Sequence, residues 1–178
     1  MDYKSKIMDE QAVKRSMARI THEIIEKNKG VEDICLLGIK RRGLPLAEVL
    51  AKNIEKFEGV SVPVGYIDIT FYRDDLTLTD DMPTTGDSFF PCDINNKKIV
   101  LVDDVIYTGR TVRAAIEAIF KSGRPKAIQL AVLIDRGHRE LPVRPDFVGK
   151  NIPTSKTEMV SVKVDEYDGE TGVYLCDI

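Results

Sequence analysis

The sequence has few cysteines, little net charge and no long apolar run. None of its hydrophobic runs approaches the roughly 20 residues that a membrane-spanning helix requires. The first residues lack the apolar core of a secretory signal. The three cysteines are widely separated without zinc-type spacing, which favours reduced thiols over a disulfide frame. We therefore expect a cytoplasmic protein with no membrane partner.

The overall charge excludes little. The formal net charge is −3 over 178 residues, which gives no sign of a nucleic-acid partner, although a local basic patch would be enough to bind RNA. Hydrophobic residues make up 43% and charged residues 31%, as in ordinary globular proteins. No repeat, low-complexity tract or linker interrupts the chain. These features predict a single domain over residues 1–178.

Apolar periodicity predicts alternating helices and strands. A helix capped by Asp9 should end near Lys29–Gly30, where glycine suits a left-handed cap. Strands are predicted at 34–39, 63–72 (at an edge), 98–102 and 127–134, with short ones at 159–164 and 173–176. Further helices are predicted at 44–56 and 111–121. The fold class is therefore α/β, with a central parallel sheet flanked by helices.

The sharpest motif is the segment 99–111, in which an apolar strand leads to two acids, a hydroxyl-rich loop with glycine, and a helix. Ligands of open α/β sheets bind at the carboxyl ends of strands. The helix N-terminus and loop suit a phosphate, and Gly109 permits close approach of the backbone. Asp103 and Asp104 suit ribose hydroxyls, with Mg²⁺ offsetting their charge. A merely structural turn would need only one capping acid.

This pattern resembles the signature of the type I phosphoribosyltransferases, which bind 5-phosphoribosyl-1-pyrophosphate (PRPP). The resemblance implies that Asp103 and Asp104 bind the ribose and lie at the Mg²⁺ ion. It assigns the 5-phosphate to the following loop, Thr108, Gly109, Arg110 and Thr111, and Tyr107 is predicted to bind PRPP beside them. It also implies a single-domain fold with a small hood, mainly 135–178, and a mobile loop at about 73–88.

Three cations follow the strand at 34–39, namely Lys40, Arg41 and Arg42. Arginine and backbone N–H groups would stabilise the charge on departing pyrophosphate. Alone, this would be a solvated basic turn, but beside the PRPP motif we predict a pyrophosphate loop, with Arg42 as the main contact and Arg41 facing solvent. Arg73 opens the predicted mobile loop and is a second candidate contact, with an ordinary exposed hairpin as the alternative. The predicted catalytic residues are Asp103, Asp104, Arg42 and Arg73.

The predicted base-binding residues follow the last core strand. They are Arg136, Phe147 and Val148, in the region that forms the hood over the nucleobase in the family. Phe147 would stack on the base while main-chain groups of Val148 read its edge; the alternative is a core position for Phe147. Purine-salvage relatives have an acid where Tyr107 stands, and a phenol replaces it poorly at neutral pH. This disfavours purines and favours uracil.

Residues 135–142, Asp-Arg-Gly-His-Arg-Glu-Leu-Pro, form a long run with no generic structural reason. With 67–76, this run narrows the resemblance to the PyrR-type branch, uracil phosphoribosyltransferases that also regulate the pyrimidine operon by binding its mRNA. The resemblance implies that PRPP and uracil give UMP and pyrophosphate, that UMP or UTP favours binding of the operon mRNA leader, and that the protein is a homo-oligomer. An enzyme without RNA binding and a regulator with little turnover are the alternatives.

The resemblance also assigns RNA contacts. Basic residues at matching positions are His22, Arg139, Arg144 and Lys150, and Arg19 lies beside His22 on the first helix. Ala18 stands where RNA-binding relatives have Thr, which removes a possible hydrogen bond. A solvated basic helix face or a charged subunit interface is the structural alternative. His138 fits the base pocket, the RNA face or a role in the fold.

Overall fold

The computed structural model describes residues 2–70 and 87–178. The strands are β1 Asp2–Met8, β2 Ile34–Ile39, β3 Val64–Ile67, β4 Lys98–Ile106, β5 Ala127–Asp135, β6 Phe147–Asn151, β7 Glu158–Lys163 and β8 Gly172–Asp177. The helices are α1 Glu10–Asn28, α2 Gly43–Glu58, α3 Arg110–Ser122 and α4 Asp165–Asp168.

A five-stranded sheet in the order β3-β2-β4-β5-β6 forms the centre of the fold. All its described pairings are parallel, so the predicted α/β class is confirmed. Helices α1 and α2 cover one face, where Ile20 and Leu50 pack with Val100. Helix α3 covers the other face, where Ile119 packs with Leu101. Coverage of both faces explains the continuous apolar runs of β2 and β4.

Helix α1 begins and ends close to its predicted limits. The carboxylate of Asp9 accepts a hydrogen bond from the amide of Ala12 at 2.7 Å, which satisfies one of the free N–H groups of the first turn. At the other end Lys29, rather than the expected Gly30, adopts the left-handed conformation. Its amide donates to the carbonyl of Glu26, so the helix still closes in the expected way.

A second sheet, which we call the hood, lies beside the first and has the order β1-β8-β7, all antiparallel. Both ends of the chain contribute to it. The N-terminal strand β1 was not predicted, because most of its side chains are polar and exposed and it lacks an apolar alternation. Residues 147–151 lie in the central sheet as β6, whereas the sequence predicts that they belong to the hood region 135–178.

No described helix is long and apolar enough to cross a membrane.

Candidate active site

The loops after β2, β4 and β5 bring the predicted polar residues to one edge of the central sheet. Gly43, at the start of α2, packs directly on strand β4. A Cβ atom at this position would overlap the carbonyl oxygen of Val102 and lie 3.4 Å from the Cα atom of Asp103. The turn 40–42 is therefore held close to the acid pair, and only glycine permits this approach.

The acid pair lies within strand β4 rather than after it, which corrects the predicted end of that strand at Val102. Asp103 is only 7% exposed. Its carboxylate accepts from the amide of Asp104 at 2.9 Å, and Asp104 accepts from the amide of Val105 at 2.8 Å. Burial raises the pKa of Asp103 well above its usual range, and the charge of Asp104 raises it further. Burial also raises the pKa of Asp104.

Two adjacent carboxylates, one buried and one partly buried, are unfavourable together unless a cation or hydroxyl donors compensate them. The pair is therefore suited to a divalent cation and to sugar hydroxyls.

The predicted phosphate loop surrounds a cavity of about 350 Å³ at the N-terminus of α3. Its lining includes Asp103 and the whole predicted set, Tyr107, Thr108, Gly109, Arg110 and Thr111. Gly109 has a φ of 93°, which favours glycine, and the first residues of α3 after it, Arg110, Thr111 and Val112, line the cavity. The positive end of the helix dipole adds to this environment, so the cavity suits an anion such as a phosphate group.

One wall of this cavity was not predicted. Glu140 lines it, and its carboxylate accepts from Nε of Arg110 at 2.9 Å. The amides of Glu140 and Leu141 both donate to the carbonyl of Thr108, at 2.9 and 3.1 Å. The sequence signal that could have identified this wall is the unusual run at 135–142, because the structure places it directly against the phosphate loop.

Arg42 lies in the predicted pyrophosphate turn and forms a two-point ion pair with Asp168 of α4. Nη2 and Nε of Arg42 lie 2.9 and 3.3 Å from the two carboxylate oxygens. The hydrogen bond that Arg42 donates to Asp168 raises the pKa of Arg42, and the negative charges of Asp168 and Asp104 act in the same direction. Sequence reasoning missed Asp168, because it is far away in the chain.

The other two cations of this turn, Lys40 and Arg41, contact aromatic rings and form no two-point ion pair like that of Arg42 among the described residues. Lys40 Nζ lies 4.1 Å from the centre of the Tyr66 ring. Arg41 is exposed, with its guanidinium 5.5 Å from the centre of the Tyr167 ring. Arg73 and most of the loop predicted at 73–88 lie outside the described residues.

A second cavity of about 430 Å³ lies beyond the end of β5. Arg136 and His138 line it. The guanidinium of Arg136 lies 4.0 Å from the centre of the Tyr107 ring and donates to the carbonyl of Glu158 at 2.6 Å. The His138 ring lies edge-on to Tyr107, with ring centres 5.8 Å apart. Tyr107, which lines the phosphate cavity, therefore also contacts two residues of this second pocket, whose lining surface is mostly apolar.

Two predicted base-binding residues are not part of this pocket. The ring of Phe147 is 3% exposed and packs in the core beneath α1, so it offers no face for a base. The carbonyl of Val148 accepts from Arg19 at 3.2 Å, so it is committed within the protein. Both residues lie at the start of β6, which is a strand of the central sheet. They are therefore distant from the ligand edge, because that edge is formed by the carboxyl ends of the strands. This corrects the expectation that they contact the base; of the three, only Arg136 lies in the pocket.

The basic residues predicted to contact RNA fall into two groups. On the α1 side, Arg19 and Lys150 line a groove of about 330 Å³ together with Arg15. Arg19 also donates to the carbonyl of Gly149 and pairs with Glu23 at 2.8 Å, which ties α1 to β6. His22 is exposed and stacks on Phe57, with ring centres 4.3 Å apart.

The second group follows β5. Arg144 is exposed. Arg139 is turned inward, with its side chain 22% exposed and its guanidinium bound to Asp135 at 2.6 Å.

Comparison with known proteins agrees with this geometry. Residues 4–167 match the phosphoribosyl transferase domain, and the chain belongs to that family. It is 62% identical over 175 residues to "Bifunctional protein PyrR" of Clostridium novyi, with 98% of each chain covered. The protein of the same name from Caldicellulosiruptor bescii is 61% identical, with 98% of this chain and 96% of that one covered. The resemblance to the PyrR-type branch is thereby confirmed.

Solved structures confirm the fold. A hypoxanthine-guanine phosphoribosyltransferase from Bacillus anthracis superposes with a TM-score of 0.74 at 18% identity, covering all of both chains. The hypoxanthine phosphoribosyltransferase of Trypanosoma cruzi gives the same TM-score at 18% identity, with 98% of this chain and 97% of that one covered.

Proposed function

We propose that this protein transfers the phosphoribosyl group of PRPP to uracil, giving UMP and pyrophosphate, and that with UMP or UTP bound it binds pyrimidine-operon mRNA to repress expression. The observation that carries the enzymatic half is the cavity at the N-terminus of α3, which joins a phosphate-binding loop to the buried acid of Asp103. The PyrR-type relatives, at about 60% identity, support the regulatory half.

PRPP lies across the ligand edge of the sheet in this proposal. Its 5-phosphate occupies the cavity of Tyr107–Thr111, and its ribose hydroxyls donate to Asp103 and Asp104. Its pyrophosphate extends toward the turn 40–42, where Arg42 is the main contact, and Arg73 stays a predicted second contact. The packing of Gly43 on β4 supports this placement, since it keeps the pyrophosphate turn next to the acid pair.

Mg²⁺ is the proposed cofactor. Magnesium is commonly held by one or two carboxylates together with substrate phosphates, and Asp103 with Asp104 offers such a pair of oxygen donors. The bound ion would neutralise part of the charge that develops on pyrophosphate.

The reaction breaks the bond between C1 of the ribose and the pyrophosphate oxygen, and forms a bond from C1 to N1 of uracil. The N1 proton leaves to water or to the departing pyrophosphate, so no protein base is required. The transition state resembles an oxocarbenium ion, and the protein contributes orientation and stabilisation of the leaving group rather than a covalent nucleophile.

Uracil binds in the second cavity, next to Tyr107. Arg136, His138 and Thr154 line this pocket, whose surface is mostly apolar, and its volume of about 430 Å³ accommodates a pyrimidine ring. The ring of Tyr107, fixed against Arg136, forms its boundary with the ribose site. Tyr107 also replaces the acid that purine enzymes carry at this position, which favours uracil.

RNA binds to the groove between α1 and β6. Arg15, Arg19 and Lys150 place three positive charges around this groove, and His22 lies further along the same helix. Such a patch neutralises phosphates, while unpaired bases of an RNA loop supply specificity. Arg144 adds a charge from the segment after β5. Ala18 lies on α1 in this region and removes the hydroxyl that RNA-binding relatives have.

We also propose that the protein is a homo-oligomer. Phe120 on the outer face of α3 is 59% exposed, and Val49 on α2 is 37% exposed. Contact between copies would remove such apolar surface from water. Light scattering of the purified protein gives the number of copies directly, and a monomer at all concentrations would contradict this proposal.

The decisive experiment supplies PRPP and Mg²⁺ with uracil, hypoxanthine or guanine and follows nucleotide formation. We expect UMP from uracil only. Asp104→Asn should abolish this activity while keeping the fold, and Asp177→Asn, at the far end of β8, serves as the matched control. A purine nucleotide would refute the base assignment.

Titration of pyrimidine-operon leader RNA with and without UMP separates the remaining alternatives. Affinity that UMP leaves unchanged would favour an enzyme without regulation. UMP binding and RNA binding without turnover would favour a regulator alone.

A further inference from the structure

Arg139 is the centre of a hydrogen-bonded cluster behind the phosphate loop. Its Nε donates to the carbonyl of Val143 at 2.9 Å, and its Nη1 donates to the carbonyl of Tyr107 at 2.8 Å. Its Nη2 donates to the carboxylate of Asp135 at 2.6 Å. One guanidinium thus joins the end of β5, the start of the phosphate loop and the segment that follows Glu140.

The surrounding contacts make these segments a single unit. The carbonyl of Thr108 accepts from the amides of Glu140 and Leu141. Gly109 lies against the same segment, since a Cβ atom there would be 3.4 Å from Val143. Arg110 pairs with Glu140, and both residues line the cavity. Hydrogen bonds and packing therefore connect the phosphate loop directly to residues 139–143.

Arg139 is poorly placed to bind RNA itself. The family resemblance gives it an RNA contact, yet each of its three nitrogen atoms already donates to an acceptor within the protein, and its side chain is 22% exposed. Arg144, on the same segment, is exposed. The two arginines thus occupy different environments. Arg144 is placed to contact RNA directly, whereas Arg139 could affect RNA binding only through the protein groups that it contacts.

We propose that Arg139 is a positioning residue that clasps the phosphate loop to the segment 139–144, and that it couples nucleotide binding to RNA binding through this clasp. A nucleotide phosphate in the cavity orders the phosphate loop. Because the hydrogen bonds of Arg139 connect this loop to the segment 139–144, that segment, which carries Arg144, becomes ordered as well. Arg139 affects RNA only through Tyr107, Asp135 and Val143. The inference rests on the proposed role of Tyr107–Thr111 in binding the 5-phosphate.

The substitution Arg139→Lys separates this role from direct RNA contact. Lysine keeps the positive charge but lacks the planar fork that reaches three acceptors. We expect the dissociation constant for UMP, measured by calorimetry, and the KM for PRPP to rise about tenfold or more, because backbone acceptors lose their donors. The kcat should change much less, since the 5-phosphate is bound equally in the ground and transition states.

In RNA titrations, Arg139→Lys should lose the gain in affinity that UMP produces, while affinity without UMP and its salt dependence stay at the wild-type level. Arg144→Gln is the matched control, and it should show the opposite pattern. It should leave UMP affinity and the KM for PRPP unchanged, weaken RNA binding with and without UMP, and reduce the salt slope by about one.

Two results would overturn the proposal. One is an Arg139→Lys protein with wild-type UMP affinity and KM but weak RNA binding in both states, which would show direct contact. The other comes from hydrogen exchange on the wild-type protein, which needs no variant. We expect the amides of Glu140 and Leu141 to gain protection from exchange when the protein binds UMP. Unchanged protection would refute the clasp even if Arg139→Lys fails to fold. Wild-type protein that binds no UMP would instead refute the proposed function, and the clasp with it.

Discussion

The contact between Gly43 and strand β4 provides a sharp test of how the site is assembled. In Gly43→Ala, the new methyl group would overlap the carbonyl oxygen of Val102. The obstacle is the backbone of the central strand, which cannot rotate away as a side chain would. The start of α2 and the turn 40–42 must therefore move away from Asp103 and Asp104.

The size of the effect follows from this geometry. Overpacking of a well-packed interior costs about 1–3 kcal/mol, and 1 kcal/mol lowers Tm by about 2–4 °C in a protein of this size. A shift of about 1 Å between Arg42 and the acid pair should lower kcat/KM for PRPP on the order of 100-fold. Thermal unfolding and steady-state kinetics measure the two effects separately.

Gly59→Ala is the matched control at the other end of α2. Gly59 has a φ of 70° and no atom within 4 Å of an added Cβ, so the cost is conformational only. A left-handed alanine costs about 1–2 kcal/mol, so Tm should fall by a similar amount while kcat/KM stays at the wild-type level. Wild-type kcat/KM in Gly43→Ala, or equal losses in both variants, would refute the reasoning.

Three further predictions concern other contacts of the site and the hood. Asp168→Asn removes the charge that holds Arg42, so kcat/KM for PRPP should fall several-fold without loss of fold, as kinetics and circular dichroism would show. The hydrogen bond from Lys4 lowers the pKa of Glu158 from an ordinary 4.5 to about 2. Because the pKa is lower in the folded state than in the unfolded state, the contact between Lys4 and Glu158 stabilises the fold above about pH 4.5. This stabilisation is lost as the pH falls toward 2. Urea unfolding over that range should therefore show a weaker pH dependence in Lys4→Gln than in wild type. Lys150→Gln should weaken binding of leader RNA and reduce its salt slope by about one in filter-binding assays, with UMP synthesis unaffected.

The locally encoded parts of this protein could be read from its sequence. The stripe of Val13, Met17, Ile20 and Ile24 identifies α1, and all four residues are buried. The apolar run before Asp103 identifies the central strand, because only a strand covered on both faces is apolar throughout. The loop Tyr107–Thr111 could be proposed as a phosphate site from the sequence because its residues are contiguous and precede a helix.

Other residues could not be placed from local pattern. Phe147 has the same aromatic character in a core as in a base pocket, and only the pairing of β6 with β5 decides that it is buried. Strand β1 is polar along most of its length, and only its pairing with β8 makes it a strand.

The sequence by itself determined the class of fold, and it pointed to the acid pair and to the loop 107–111 as a candidate phosphate site, since these patterns are carried by residues that are neighbours in the chain. Tertiary structure alone decided that Asp168 pairs with Arg42 and that Arg139 turns inward to Asp135 and Tyr107. The physical reason is that a long cationic side chain can reach many acceptors, and the nearest ones are known only when distant segments have packed together.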